Sequence, residues 1–270
     1  MSAAMAASAR RVWGLMYRHM ALFKHSWPRL LELLYWPVLQ MTIWGFTSTF
    51  LARNSGSTAA LAGGALLGGV LLWEVALRSQ MGMSITFLEE IWSRNLGHVF
   101  VSPLRPIEMV AALIGMSMLR MLTGVIPATL LAWALYAFNL FAIGPVLLLF
   151  FVNLMVMGWA VALAVISLIL RHGAGAEALA WSVLFGLTPF SAVFYPVSIL
   201  PHGAREIAFL VPASHVFEGM RAALLTGHIV WAELGWAVLL NVIWLVGATA
   251  IFTRQFQVAR TRGALISIGE

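Results

Sequence analysis

The residues best equipped for chemistry are two adjacent carboxylates. Glu89 and Glu90 are followed by Arg94, giving the pattern E-E-x-x-x-R. Paired carboxylates can activate a water when both face one substrate. Glu74 and Arg120 come second, because each interrupts an apolar run, where an ionisable group is costly. Such a residue forms a buried structural pair, reaches toward the interface, couples an ion to transport or lines a substrate path. Glu74 and Arg120 are candidates for the last role.

Other chemistries are excluded by what the chain lacks. It has no cysteine, so thiol catalysis, disulfides and thiolate metal sites are ruled out. It has no aspartate, and Lys24 is its only lysine. A phosphate-binding loop needs a Gly-rich turn and a lysine, and Lys24 sits in a helical pattern with neither. No Walker-type Asp is available for magnesium. The chain therefore has no nucleotide engine of that type. The seven histidines are dispersed without ligand spacing. No G-x-S-x-G or H-E-x-x-H motif occurs.

The elements that must position these residues are membrane helices. Of 270 residues, 61% are hydrophobic and only 10% charged, where a soluble domain carries about 25% charged residues. The apolar runs are continuous and long enough to cross a bilayer, so they predict helices rather than a barrel. The expected fold is an all-α polytopic membrane protein with six transmembrane helices. An amphipathic interfacial segment covers residues 1–29, a single six-span domain residues 30–253, and a cytosolic tail residues 254–270. The spans are expected at about 30–51, 59–77, 107–138, 143–170, from 177 onward, and at 230–252. The link 139–142 carries no charge. Pro189 and Pro196 break the fifth span, and Pro37 lies inside the first. Gly63, Gly64, Gly68 and Gly69 in the second span suit close helix packing.

Within the N-terminal segment Trp13, Met16 and Met20 share a face, while Arg11, Arg18 and His25 recur on another. That pattern predicts a helix lying in the interface with its basic face toward anionic headgroups. It is not a signal peptide, since no compact apolar core precedes a cleavage site.

Charge sets the orientation. With both termini in the cytoplasm, most arginines fall inside and only Arg53, Arg205 and Arg221 outside, as the positive-inside rule requires. The net charge of +6 thus reflects topology, and no nucleic-acid partner is implied. Between spans two and three, Leu88, Ile91, Trp92, Leu96 and Phe100 mark one face of a charged helix. That stripe can dock in a partner's groove or rest on lipid.

Two family resemblances follow. The stretch 89–94 resembles the first motif of CPBP-type intramembrane glutamic proteases, with Glu89 and Glu90 as catalytic carboxylates. The later F-x-x-x-H motif of that family is missing, because neither His172 nor His215 has Phe four residues before it. The second resemblance covers nearly the whole chain. The runs 87–96 (FLEEIWSRNL) and 101–106 (VSPLRP) resemble the cytosolic segment of type-2 ABC exporter permeases, and 195–201 (YPVSILP) with 210–215 (LVPASH) resembles that family's outer region.

This second resemblance implies a bacterial inner-membrane exporter subunit that is not itself an enzyme. A second permease copy, in a homodimer or a heterodimer, and two ABC-type ATP-binding subunits would complete it, with ATP and magnesium on those partners and no cofactor on this chain. Residues 87–101 would form the coupling helix, with Leu88, Glu89, Glu90, Ile91, Trp92, Arg94 and Leu96 contacting the ATPase. The outer region 197–228 would re-enter the membrane and gate the exit.

Overall fold

The computed structural model describes residues 3–24, 27–55, 57–136 and 144–262. The link 139–142 and the end of the C-terminal tail lie outside the described residues. All regular structure among the described residues is helical. Helix α1 spans Ala3–Lys24, α2 Trp27–Ser55, α3 Ser57–Trp92, α4 Leu96–Val101 and α5 Pro106–Tyr136. Then come α6 (Val146–His172), α7 (Leu179–Leu187), α8 (His202–Phe209), α9 (Pro212–Thr226) and α10 (Trp231–Arg262). Helices α5, α6 and α10 combine the length and apolar composition needed to cross a membrane. Helix α2, with 29 residues, and α3, with 36, are long enough by length alone. Both Pro37 and Pro127 lie inside helices that continue past them.

Helix α3 is the axis of the molecule. At about 1.5 Å per residue it is roughly 54 Å long, well beyond a hydrocarbon core of about 30 Å. The expected second span and the first half of the expected coupling helix are thus one rigid element. Residues 87–101 do not form a single helix: α3 ends at Trp92 and α4 begins at Leu96. The break is a Schellman cap. The Asn95 N–H donates to Glu90 O at 3.0 Å, and the Arg94 N–H to Ile91 O at 2.8 Å. Arg94 stands where glycine is usual, with φ of 52°. That left-handed backbone costs a side-chain-bearing residue about 1–2 kcal/mol.

Against α3 pack α2, α5 and α6, and α6 also packs along α10. Glycines set the closest approaches. A Cβ on Gly158 of α6 would lie 2.7 Å from Ala76 O and 2.8 Å from Ser79 Cβ of α3. One on Gly69 would lie 2.8 Å from Val193 O, and one on Gly63 would strike Ser48 of α2. Polar groups stitch the same contacts. Ser117 Oγ of α5 donates to Ser79 O at 2.6 Å and accepts from Trp159 Nε1 of α6 at 3.2 Å. Asn241 Nδ2 of α10 donates to Asn153 Oδ1 of α6 at 2.9 Å. Hydrogen bonds of this kind replace the hydrophobic drive that lipid cannot supply between helices.

The expected fifth span is short and broken. Helix α7 has nine residues and passes into a 3-10 turn at Thr188–Phe190. The chain then bends at Ala192, whose φ is 56°. Pro189 and Pro196 have no N–H to continue a helix. Phe194 from this bend stacks on Trp44 of α2, with ring centroids 4.8 Å apart. Helices α8 and α9 follow at the end of the bundle opposite α1.

Candidate functional site

Beside α3 lies a cavity of about 660 Å³, within the range of pockets that bury a drug-sized ligand. Helix α3 supplies one wall with Leu77, Met81, Gly82 and Ile85. Trp36 and Gln40 of α2 and Trp181 and Phe185 of α7 supply another. Glu74, Arg78, Glu89 and Arg120 add charge, and Trp92 closes one end. Both residues singled out as substrate-path candidates, Glu74 and Arg120, thus line the same space as Glu89.

The charges are paired. Arg78 Nε donates to Glu74 Oε2 at 3.0 Å, one helical turn away. Arg120 Nη2 donates to Glu89 Oε2 at 2.7 Å, joining α5 to α3. All four side chains are at least nine-tenths buried. Burial of a charge is tolerable only with such a partner.

Glu90 turns to α1. Arg18 Nη2 lies 2.9 Å from Glu90 Oε2, and His19 Nε2 lies 2.9 Å from Glu90 Oε1. Asn95 Nδ2 donates to the same carboxylate at 2.9 Å. His19 Nδ1 is also 3.7 Å from Glu89 Oε2. Burial pulls the His19 imidazole down, but the adjacent Glu89 and Glu90 carboxylates pull it up further, so it titrates above the usual histidine value. Farther along α1, Arg11 Nε donates to Glu108 Oε2 at 2.9 Å and Ser8 Oγ to Glu108 Oε1 at 2.7 Å. Glu108 lies in the first turn of α5, where a carboxylate suits the helix dipole. Its hydrogen bond holds the Arg11 guanidinium above the usual arginine value.

These contacts revise two expectations. Arg11 and Arg18 face carboxylates of the chain's own bundle, where headgroups were expected; exposed Trp13 and Tyr17 mark the outer face of α1. The apolar stripe Leu88, Ile91 and Leu96, expected to meet a partner, is buried in the chain's own core. Glu89 and Glu90, expected to pair outward, have cations from α1 and α5. Sequence periodicity finds an apolar face but does not say which neighbour covers it. Exposed at this turn are Trp92, which is 51% accessible, with Ser93 and Arg94. Trp92 Nε1 donates to Glu177 Oε1 at 3.2 Å, which brings the α6–α7 connection beside it. The side chain of Phe100 lies outside the described residues. Arg78 and His19 escaped the sequence reading. Arg78 is legible in retrospect as the residue one turn after Glu74; His19 carried no local signal.

A hydrolytic carboxylate pair would face one substrate together. Glu89 and Glu90 are each committed to cations, which does not favour the protease reading. Residues 10–225 match the family model described as ABC-2 type transporter. The chain belongs to the ABC-2 type transporter family. No curated protein gives a significant match. As an ABC-2 membrane component it is a multi-pass membrane protein with a transport role, and the family implies an ATP-binding partner. In the ABC-2 chain the matched stretch contains α2, α3, α5 and α6, the cavity and the α1 ion pairs.

Proposed function

We propose that this chain is the permease subunit of an exporter in the bacterial inner membrane. Two copies form the path, two separate ATP-binding subunits drive it, and both termini are cytosolic. Six membrane passages are counted by taking α2, α3, α5, α6 and α10 as full crossings and α7, with the bend after it, as the fifth. Helices α8 and α9 then re-enter from the outer side and gate the exit. The observation that carries the reading is α3, one unbroken helix joining an exposed turn at Trp92–Arg94 to the charged wall of the cavity.

The mechanism is alternating access. Nucleotide binds the closed arrangement of the ATPase more tightly than the open one, and that differential affinity supplies the work. Motion enters at the turn after α3. Trp92 and Arg94 receive it, α4 with its start at Leu96 moves with them, and the rigid helix carries it to Glu89 and on to Glu74. The strained backbone at Arg94 supports this role, because a turn needing only to end a helix would hold glycine.

The test uses the ATP-binding subunit encoded nearest this chain, co-purified and reconstituted in proteoliposomes. Arg94→Gly relieves the backbone strain and so preserves folding, yet it removes the exposed cation. Arg94→Gly and Trp92→Ala are each expected to reduce permease-dependent ATPase stimulation severalfold while the complex still inserts. Full stimulation in both variants would remove the turn from the coupling path.

A further inference from the structure

We infer that the cavity beside α3 selects its ligand by net charge, taking elongated amphiphiles that carry none and whose polar end both donates and accepts hydrogen bonds. The inference deepens the permease reading and rests on it only in treating the cavity as the cargo chamber. It begins with the charge balance. Among the described residues, the four charged side chains on the wall, Glu74, Arg78, Glu89 and Arg120, have formal charges that sum to zero. All are buried, so the site has little water with which to screen an added charge. An ion entering it would lose hydration and gain no uncompensated counter-charge, a costly exchange.

The geometry at Glu74 and Arg78 sets the polar chemistry. Their mutual hydrogen bond uses Arg78 Nε and Glu74 Oε2. Among the described residues, Glu74 Oε1 and the two terminal guanidinium nitrogens make no hydrogen bond, and both side chains line the cavity. The pair therefore offers an acceptor and donors side by side. An amide or a similar neutral group satisfies both at once. A carboxylate would meet Glu74, and an ammonium would meet Arg78.

Shape sets the rest of the ligand. From Glu74 to Glu89 the wall runs roughly 22 Å along α3. Between those ends lie Leu77, Met81 and Ile85, one turn apart, so the middle is apolar. Facing them, Trp36, Trp181 and Phe185 are incompletely covered by protein, and aromatic faces of this kind stack on flat or aliphatic bodies. Gly82 lets α5 pack close against this wall, because a Cβ there would lie 3.2 Å from Ser117 Cα.

The purified chain in lipid nanodiscs, without nucleotide or partner, suffices for the test. Tryptophan emission is quenched by energy transfer to three pyrene probes with one body: pyrenebutanamide, pyrenebutyrate and pyrenebutyltrimethylammonium. Quenching in empty nanodiscs containing free tryptophan octyl ester is subtracted as membrane partitioning. Saturable binding of the amide is expected, about tenfold tighter than of either ion, a gap of about 1.4 kcal/mol. Glu74→Gln leaves the wall with one net positive charge and moves the preference to pyrenebutyrate. Arg78→Met leaves one net negative charge and moves it to the trimethylammonium probe. Loss of folding cannot produce shifts of opposite sign, and the two variants check each other. Absence of saturable binding, equal affinity for all three probes, or variants that change together would overturn the inference. Charge-selective binding by a chain that no ATP-binding subunit can drive would leave the chamber standing and remove the permease reading instead.

Discussion

Replacing Arg120 by methionine should cost this fold about 3 kcal/mol, because it takes the arginine away from a buried carboxylate. Arg120 Nη2 is 2.7 Å from Glu89 Oε2, and the two side chains are only 5% and 8% exposed. Breaking a buried pair from one side costs about 3–5 kcal/mol. His19 Nδ1, 3.7 Å from the same oxygen, remains to offset part of that charge, which sets the expectation at the low end. Replacing both partners by apolar groups, in Glu89→Leu with Arg120→Met, should be close to neutral, since neither charge is then left unpaired. Glu89→Leu alone also breaks the pair, so the double-mutant cycle should return a coupling near the sum of the two single-variant costs, well above about 3 kcal/mol. Reversible unfolding by SDS in mixed micelles, followed by tryptophan emission, measures all four corners. Repeating it at a pH where His19 is neutral should raise the cost of Arg120→Met toward about 5 kcal/mol. A single-variant cost below about 1 kcal/mol, the value of an exposed pair, would refute the claim that this pair is buried. So would a double variant whose cost equals the sum of the singles.

Glycine contacts give a paired expectation: Gly158→Ala pushes a Cβ against Ala76 O and Gln80 N of α3 and should destabilise by about 1–3 kcal/mol. Gly247→Ala meets nothing within 4 Å and should leave stability unchanged or raise it by up to about 1 kcal/mol; equal effects in the same unfolding assay would count against the packing argument. Asn241→Leu loses two hydrogen bonds to Asn153 and should cost about 0.6–1.7 kcal/mol; a gain in stability would show that the contact is dispensable. Docking of α1 should weaken as pH rises. The folded pKa of His19 is raised, so its contribution is fully present below roughly 6.5, the unfolded value, and is lost as pH passes the folded value. Hydrogen exchange at α1 amides, corrected for intrinsic rate, should accelerate across that window in the native chain and stay level in His19→Gln. A level profile in the native chain would refute the role of His19.

Much of the helical layout was legible because apolar runs, glycines and prolines act locally. The expected third, fourth and sixth spans correspond to α5, α6 and α10. Gly63 and Gly69 sit at close contacts because small residues in lipid have few other uses. The fate of residues 87–101 was less legible. Their apolar spacing is that of a helix with one buried face, and that face is equally consistent with a partner groove, lipid or the chain's own core. What decided it was Arg94 in a left-handed conformation, a property of the backbone that arginine does not advertise. The partners of Glu89 and Glu90 were hidden for a different reason. Arg120 and His19 lie 31 and 71 positions away from them, and no local rule reaches so far.

Adjacency in α3 gives those two carboxylates their meaning. Neighbours on a helix point about 100° apart, so Glu89 faces the cavity and α5 while Glu90 faces α1. His19 touches both. Rotation of the end of α3 cannot move one without the other: turning Glu89 away from Arg120 also shifts Glu90 against Arg18 and His19. The Schellman cap fixes that end further, since Asn95 binds Glu90 through both its backbone and its side chain. Helix α1 is therefore more than a float on the membrane surface. Arg11 ties it to Glu108 of α5, and Arg18 and His19 tie it to the end of α3 beside the cavity, so a change in the charge balance of the cavity near Glu89 reaches α1 through His19, which lies against both carboxylates.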